Sequence, residues 1–172
     1  MTIRIDTQTQ NIEVHKYYAG TVIIVCFLAI VFQAFLNKFS PVFQLFELPL
    51  LVVIYFGLSR RNSVTGILLG AVVGILQDGI SHAHIGFYGI AKAFIGYLAS
   101  SIGARLDTEH PIARFILTFL FFHVHQVIVA TTDRLLLEQP DRFFSVHLLL
   151  SSIINAAIAV FLFAGLDRLR KQ

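Results

Sequence analysis

Long apolar runs separated by short polar breaks fill most of this chain. Six can be read, at residues 18–36, 44–58, 64–76, 85–102, 112–131 and 146–166. The first is nineteen residues long, enough for a helix that crosses a hydrocarbon layer of about 30 Å. The second and third hold 15 and 13 residues. As straight helices they reach only roughly 20–23 Å. Either the bilayer thins around them, or their outer ends are recessed in the protein, or the true helices run a turn beyond the apolar run. The breaks between runs are short. The pattern therefore predicts an all-α fold with one six-helix transmembrane domain, residues 18–166. It lies between a polar N-terminal segment, residues 1–17, and a basic tail, residues 167–172.

Composition strengthens this picture. Of 172 residues, 56% are hydrophobic and 13% charged, about half the charged fraction of a soluble domain. The net charge is +3, but the basic residues cluster at span ends, where they set topology rather than bind nucleic acid. With the N-terminus in the cytoplasm, the inner segments hold nine: Arg4, Lys16, Arg60, Arg61, Arg105, Arg114, Arg168, Arg170 and Lys171. The outer segments hold three, Lys38, Arg134 and Arg142. The bias predicts six spans with both termini inside. It puts Asp78, His82 and His84 on the outer side. The run after the polar N-terminus lacks a small-residue cleavage site, so no cleavable signal peptide is expected. One cysteine, Cys26, excludes an internal disulfide and a multi-cysteine metal site.

The polar and small positions inside the apolar runs carry the functional information. Residues 66–98 contain Gln77, Asp78 and Lys92 together with Gly66, Gly70, Gly74, Gly79, Gly86, Gly89 and Gly96. A charge in hydrocarbon costs about 2.5–3.5 kcal/mol, and a helical glycine roughly 1 kcal/mol relative to alanine. A span bearing both implies close packing around a fixed polar site. Gly66, Gly70 and Gly74 form a ridge at four-residue spacing, which lets another helix approach closely. The ridge packs inside the protomer or between two copies of a homodimer. With six helices to pack, the internal seam is favoured, and the Ser151, Ser152, Asn155, Ala156 and Ala159 face of the last run is a plausible partner. Asp78 is read as a helix-end residue that caps backbone groups or pairs with Lys92; the alternative is a ligand or partner contact. An antiparallel neighbour brings Lys92 towards Asp78 or Glu47.

Reactive chemistry is hard to find. Asp78, His82 and His84 do not match a zinc-site spacing. His123 and His125 are two apart on a helix and point to different faces, so each is expected in a hydrogen-bonded core or interfacial role. There is no nucleophile elbow, no H-E-x-x-H and no paired-carboxylate motif. Asp133, Glu138 and Asp141 read as solvated residues of an outer loop. Neither catalytic activity, nor a cofactor, nor a resident metal is expected.

The residues Gly74, Gln77, Asp78, Gly86, Gly89, Lys92, Gly96 and Tyr97 stand in a pattern that resembles the bacterial rod shape-determining protein MreD family. The second run, with Glu47 near its start and a tyrosine and a basic turn at its end, is similar to that family's acidic, leucine-rich span. Two details depart from the family: Glu47 precedes Pro49 where a Pro-Asp pair is common, and 81–84 reads Ser-His-Ala-His where small residues are usual. The resemblance implies a non-enzymatic inner-membrane subunit of the elongation (rod) machinery for lateral peptidoglycan. Such a subunit binds MreC and is linked to the MreB filament and to RodA with its partner transpeptidase. It also implies a membrane fold similar to the substrate-binding subunits of energy-coupling-factor vitamin transporters. Two readings follow. In the scaffold reading, Asp78 and Lys92 fix helix geometry. In the carrier reading, Asp78, His82 and His84 line a pocket for a vitamin. The absence of tryptophan and the scarcity of polar lining weigh against the carrier. The basic tail either touches anionic lipid or serves only as a topology signal.

Overall fold

The computed structural model describes residues 17–39, 43, 45–81, 86–137 and 146–169. Within them are six helices: α1 (Ala19–Phe39), α2 (Leu48–Arg60), α3 (Ser63–Ser81), α4 (Phe87–Gly103), α5 (Pro111–Leu137) and α6 (Val146–Asp167). Four of these, α1, α3, α5 and α6, are long and apolar enough to cross a membrane. His82, His84, Glu138 and Asp141 lie outside the described residues.

Two of the expected boundaries shift. The third apolar run ends at Leu76, yet α3 continues through Gln77 and Asp78 to Ser81 and is 19 residues long. Gln77 and Asp78 do not end this helix because both are hydrogen-bonded in the interior. The fifth helix runs to Leu137 rather than Thr131. Asp133 is therefore a helical residue and not part of an outer loop.

The short second helix has a packing explanation. All residues from Pro49 to Ser59 are buried, and α2 contacts α1, α3, α4, α5 and α6. A helix that is apolar all round belongs in the middle of a bundle. Enclosed by protein, α2 has no need to match the thickness of the bilayer. It and α3 leave the same turn at Arg61–Asn62, and α2 has 13 residues where α3 has 19. The Glu47 end of α2 thus stops about 9 Å short of the end of α3. Glu47 at that end is level with Gln77 and is recessed inside the bundle.

Non-helical backbone leading into α2 must be satisfied by protein if it lies at membrane depth. Two amide side chains do this. Gln33 of α1 accepts from the Leu48 N–H at 3.2 Å and donates to the Phe43 carbonyl at 3.3 Å. Asn155 of α6 accepts from the Glu47 N–H at 2.9 Å and donates to the Leu45 carbonyl at 2.6 Å.

The glycine ridge of α3 packs against α4, the most extensive helix pairing in the molecule. A methyl group on Gly66, Gly70 or Gly74 would meet the backbone carbonyl of Gly96, Lys92 or Tyr88 respectively. The seam is internal, as favoured, but its partner is not the expected α6 face. In α6, Ser151 and Ser152 donate to carbonyls of their own helix, and Asn155 clamps the start of α2. The α4 backbone is available to α3 because Gly96 and Gly89 also present no side chain there.

A candidate site: the sealed charged centre at the start of α2

Glu47 sits at the N-cap of α2, but its carboxylate does not cap the helix. It reaches Lys92 of α4, with Oε2 at 3.2 Å from Nζ. Gln77 of α3 donates its Nε2 hydrogen to the same oxygen at 3.4 Å. The Lys92 side chain is 0% exposed. Its ammonium lies 4.4 Å from the centroid of the Tyr88 ring, a cation–π geometry. Nζ is also 3.4 Å from Nε2 of His125 on α5. An ammonium has only donors, so that contact requires a lone pair on Nε2 and puts the ring proton on Nδ1. The His125 ring stacks on Tyr88, with centroids 5.9 Å apart and planes 9° apart. Helices α2, α3, α4 and α5 thus converge on one buried ion pair.

Asp78 does not pair with Lys92. Its carboxylate faces the start of α4, where Oδ2 accepts from the N–H groups of Gly86 and Gly89 at 2.8 and 3.3 Å. Oδ1 accepts from the Tyr88 N–H at 3.1 Å. The first N–H groups of a helix have no partner within it and carry its positive dipole end. A carboxylate from the preceding helix supplies both acceptor and countercharge. Gly86 has φ +106°, a conformation that a side chain would strain, and this turns its N–H back onto Asp78. Of the two structural roles open to Asp78, the cap is the one found, and Lys92 goes to Glu47.

The other expected residues sort clearly. Gly66, Gly70, Gly74, Gly89 and Gly96 form the α3–α4 seam that carries Lys92 and Tyr88 to their positions. Tyr97 is 43% exposed and lies outside the charged centre. His123 binds its own helix at the Phe119 carbonyl, 2.9 Å away, while His125 faces the ion pair, so the two point differently, as their spacing requires. Three participants were not foreseen: Tyr88, Gln33 and the clamping role of Asn155. Gln33 had a signal, since it is an amide well inside the most apolar of the helices, with Asn37 one turn on. Tyr88 had none, because a tyrosine at a helix start is unremarkable until its ring is found packed against both Lys92 and His125.

A second polar network ties the opposite ends of the helices. The Tyr55 hydroxyl donates to Asp167 Oδ1 at 2.9 Å, so Tyr17, 2.7 Å away, is the donor to Tyr55. Arg114 donates to Asp167 Oδ2 at 2.7 Å and to the Thr108 carbonyl at 3.0 Å. Arg114, counted above as a topology signal, is a largely buried tether between α5 and α6.

Asp78→Ala is expected to leave three backbone N–H groups without an acceptor, and so to lower stability by about 2 kcal/mol or more without preventing membrane insertion. Thermal unfolding of the detergent-solubilised protein checks this. An unchanged midpoint would contradict the capping role.

Among the described residues, no three His, Cys, Asp or Glu side chains gather as a metal site requires. Glu47 and Lys92 face each other, and Asp78 faces the backbone N–H groups of the start of α4. Fold and site define an all-helical, multi-pass membrane protein whose buried polar groups hold its own helices together. The chain belongs to the MreD family: the model of rod shape-determining protein MreD matches residues 14–169. This is a family of rod shape-determining proteins. No curated protein and no solved structure matches the chain.

Proposed function

We propose that this protein is a non-enzymatic scaffold subunit of the bacterial elongation (rod) complex in the cytoplasmic membrane. It binds MreC, and through MreC it serves RodA and the partner transpeptidase, with the MreB filament reached indirectly, in support of lateral peptidoglycan synthesis and cell shape. Both termini face the cytoplasm, with residues 1–17 and 167–172 flanking the membrane domain 18–166. The similarity to the substrate-binding subunits of energy-coupling-factor transporters belongs to the same proposal.

The observation that carries this reading is the closure of the charged centre. Asp78 has its carboxylate occupied by backbone N–H groups, and Glu47 and Lys92 occupy each other. Such groups set helix positions. They do not present an orienting surface to a small molecule, which weighs against the vitamin-carrier reading. On the scaffold reading, Glu47, Gln77, Asp78, Lys92 and the glycines at 66, 70, 74, 86, 89 and 96 act at one remove from the partner. They hold the bundle in the shape that a partner helix recognises, and the exposed Tyr97 is the one candidate placed to touch it.

The test is co-purification of the tagged protein from its native membrane, with partners identified by mass spectrometry. Recovery of MreC with synthase subunits is the expected result. Recovery of a transporter ATPase pair, or of a tightly held small molecule, would overturn the scaffold reading.

A further inference from the structure

An open groove of about 560 Å³ lies between the last turns of α1 and the last turn of α3. Val31, Ala34, Phe35 and Ile80 give it apolar walls, and it is also lined by Asn37, Lys38 and Ser81. Lys38 is in the last turn of α1, and Ser81 is the last residue of α3. Val31 lies about 10 Å further down α1 than Lys38. The groove is thus polar at the helix ends and apolar along α1 below them. Two of its walls, Val31 and Phe35, share one exposed apolar face of α1 with Ile24, Phe27 and Leu28, so the groove opens sideways onto the surface that meets acyl chains.

The polar end offers donors. The Gln33 side-chain oxygen accepts from the Leu48 N–H, so its amide nitrogen is the atom that faces Asn37. Asn37 answers with Oδ1, 2.9 Å away, and its own amide hydrogens are left for the groove. Lys38 is exposed and has only donors. None of the described residues lining the groove is acidic. Lys38 suits the negative end of the α1 dipole, but that leaves its hydrogens unused. The occupant that fits has an acceptor at one end and an apolar remainder. Its size follows from the groove, whose volume is that of a small-ligand site. A partner helix would lie along much of a span, whereas the lining covers only residues 31–38 of α1 and 80–81 of α3. Basic pockets between membrane helices take lipid headgroups.

We propose that this groove binds one phospholipid, with its phosphate on Lys38 Nζ and the Asn37 amide and an acyl chain along Val31, Phe35 and Ile80. On the orientation given above, the lipid comes from the outer leaflet. The binding itself does not depend on which partner proteins the bundle meets.

The experiment uses the full-length protein in detergent and counts retained lipid by native mass spectrometry as phosphatidylglycerol, or diacylglycerol with the same chains, is titrated. One phosphatidylglycerol is expected to bind ahead of the rest and more tightly than diacylglycerol, which lacks the phosphate. Lys38→Gln is expected to weaken that first binding about fivefold. Ala34→Leu fills the groove without touching its charge, and is expected to weaken it by at least as much. Either variant carries the comparison if the other does not fold. Arg105→Gln, which removes an exposed cation at the opposite end of the bundle, is expected to change it by less than about twofold. Equal binding of the two lipids, or equal titrations for wild type and the Lys38 and Ala34 variants, would overturn the site. Displacement of the lipid by inorganic phosphate at matching concentration would overturn the role of the apolar walls. A photoreactive side chain in place of Phe35 is expected to capture lipid in native membranes, and capture of a protein chain there would overturn the lipid as occupant. Co-purification of MreC is read separately, so either result stands without the other.

Discussion

Glu47→Ala is expected to destabilise the folded protein by about 3–5 kcal/mol, the range for breaking a buried ion pair by removing one partner. The size comes from what is left behind. Lys92 is 0% exposed, and without Glu47 it keeps only the His125 ring nitrogen and the face of Tyr88. Lys92→Met leaves the opposite charge, with only the Gln77 amide against it, and is expected to be similarly harmful. The double variant Glu47→Leu/Lys92→Met is the informative one. It removes both charges and keeps roughly the same volume, so it should be more stable than either single variant, and close to wild type if the pair contributes specificity more than stability. Reversible unfolding in mixed micelles measures all of these against wild type. Single variants with unchanged unfolding midpoints, or a double variant whose loss equals the sum of the two, would refute the pairing.

The same pair shows how far the sequence could be read. A charge inside an apolar run announces a polar site, and Gln77, Asp78, Lys92 and Glu47 were all visible in that way. Their pairing was not. An antiparallel neighbour could bring Lys92 to either Asp78 or Glu47, and the choice is made by helix depth. Because α2 is buried on every side, it is shorter than α3, and its Glu47 end falls level with Gln77 and not with the end of α3. No local pattern carries that information. The glycine ridge was equally plain, but its partner was misassigned to α6, whose serines and Asn155 looked like a matching small-residue face. The fact that decides for α4 is that Gly89 and Gly96 recur there and leave its backbone bare towards α3. Periodicity alone does not tell which of two small-residue faces meets a third. Asp133 and Arg134 were read as outer loop because charges usually end a span; α5 continues past them.

Gly70→Val is expected to be the most damaging single substitution in the seam, and Gly165→Ala to be benign. A Cβ at Gly70 would overlap the carbonyl of Lys92, with Ala93 N at 2.8 Å. These are backbone atoms of a neighbouring helix, so no side chain can rotate away and the two helices must separate. Overpacking of a rigid interior costs about 1–3 kcal/mol for one added group, and more when the obstruction is backbone. The damage also spreads to the charged centre. Moving α4 away from α3 shifts Lys92 relative to Glu47 and draws the Gly86, Tyr88 and Gly89 N–H groups off Asp78, so packing and electrostatics fail together. Gly165 lies inside α6, and a Cβ there meets nothing within 4 Å. Alanine at that position removes only the entropic penalty of a helical glycine, so a gain of about 0.5–1 kcal/mol is expected. The pair separates two explanations for a glycine-rich membrane helix. If these glycines merely loosen helices, both substitutions should stabilise. If close backbone approach is their role, Gly70→Val should lower the unfolding midpoint while Gly165→Ala raises it. Gly70→Ala, with a single methyl group, should fall on the destabilising side of wild type. A neutral Gly70→Ala would mean that the α3–α4 distance is not set by this contact.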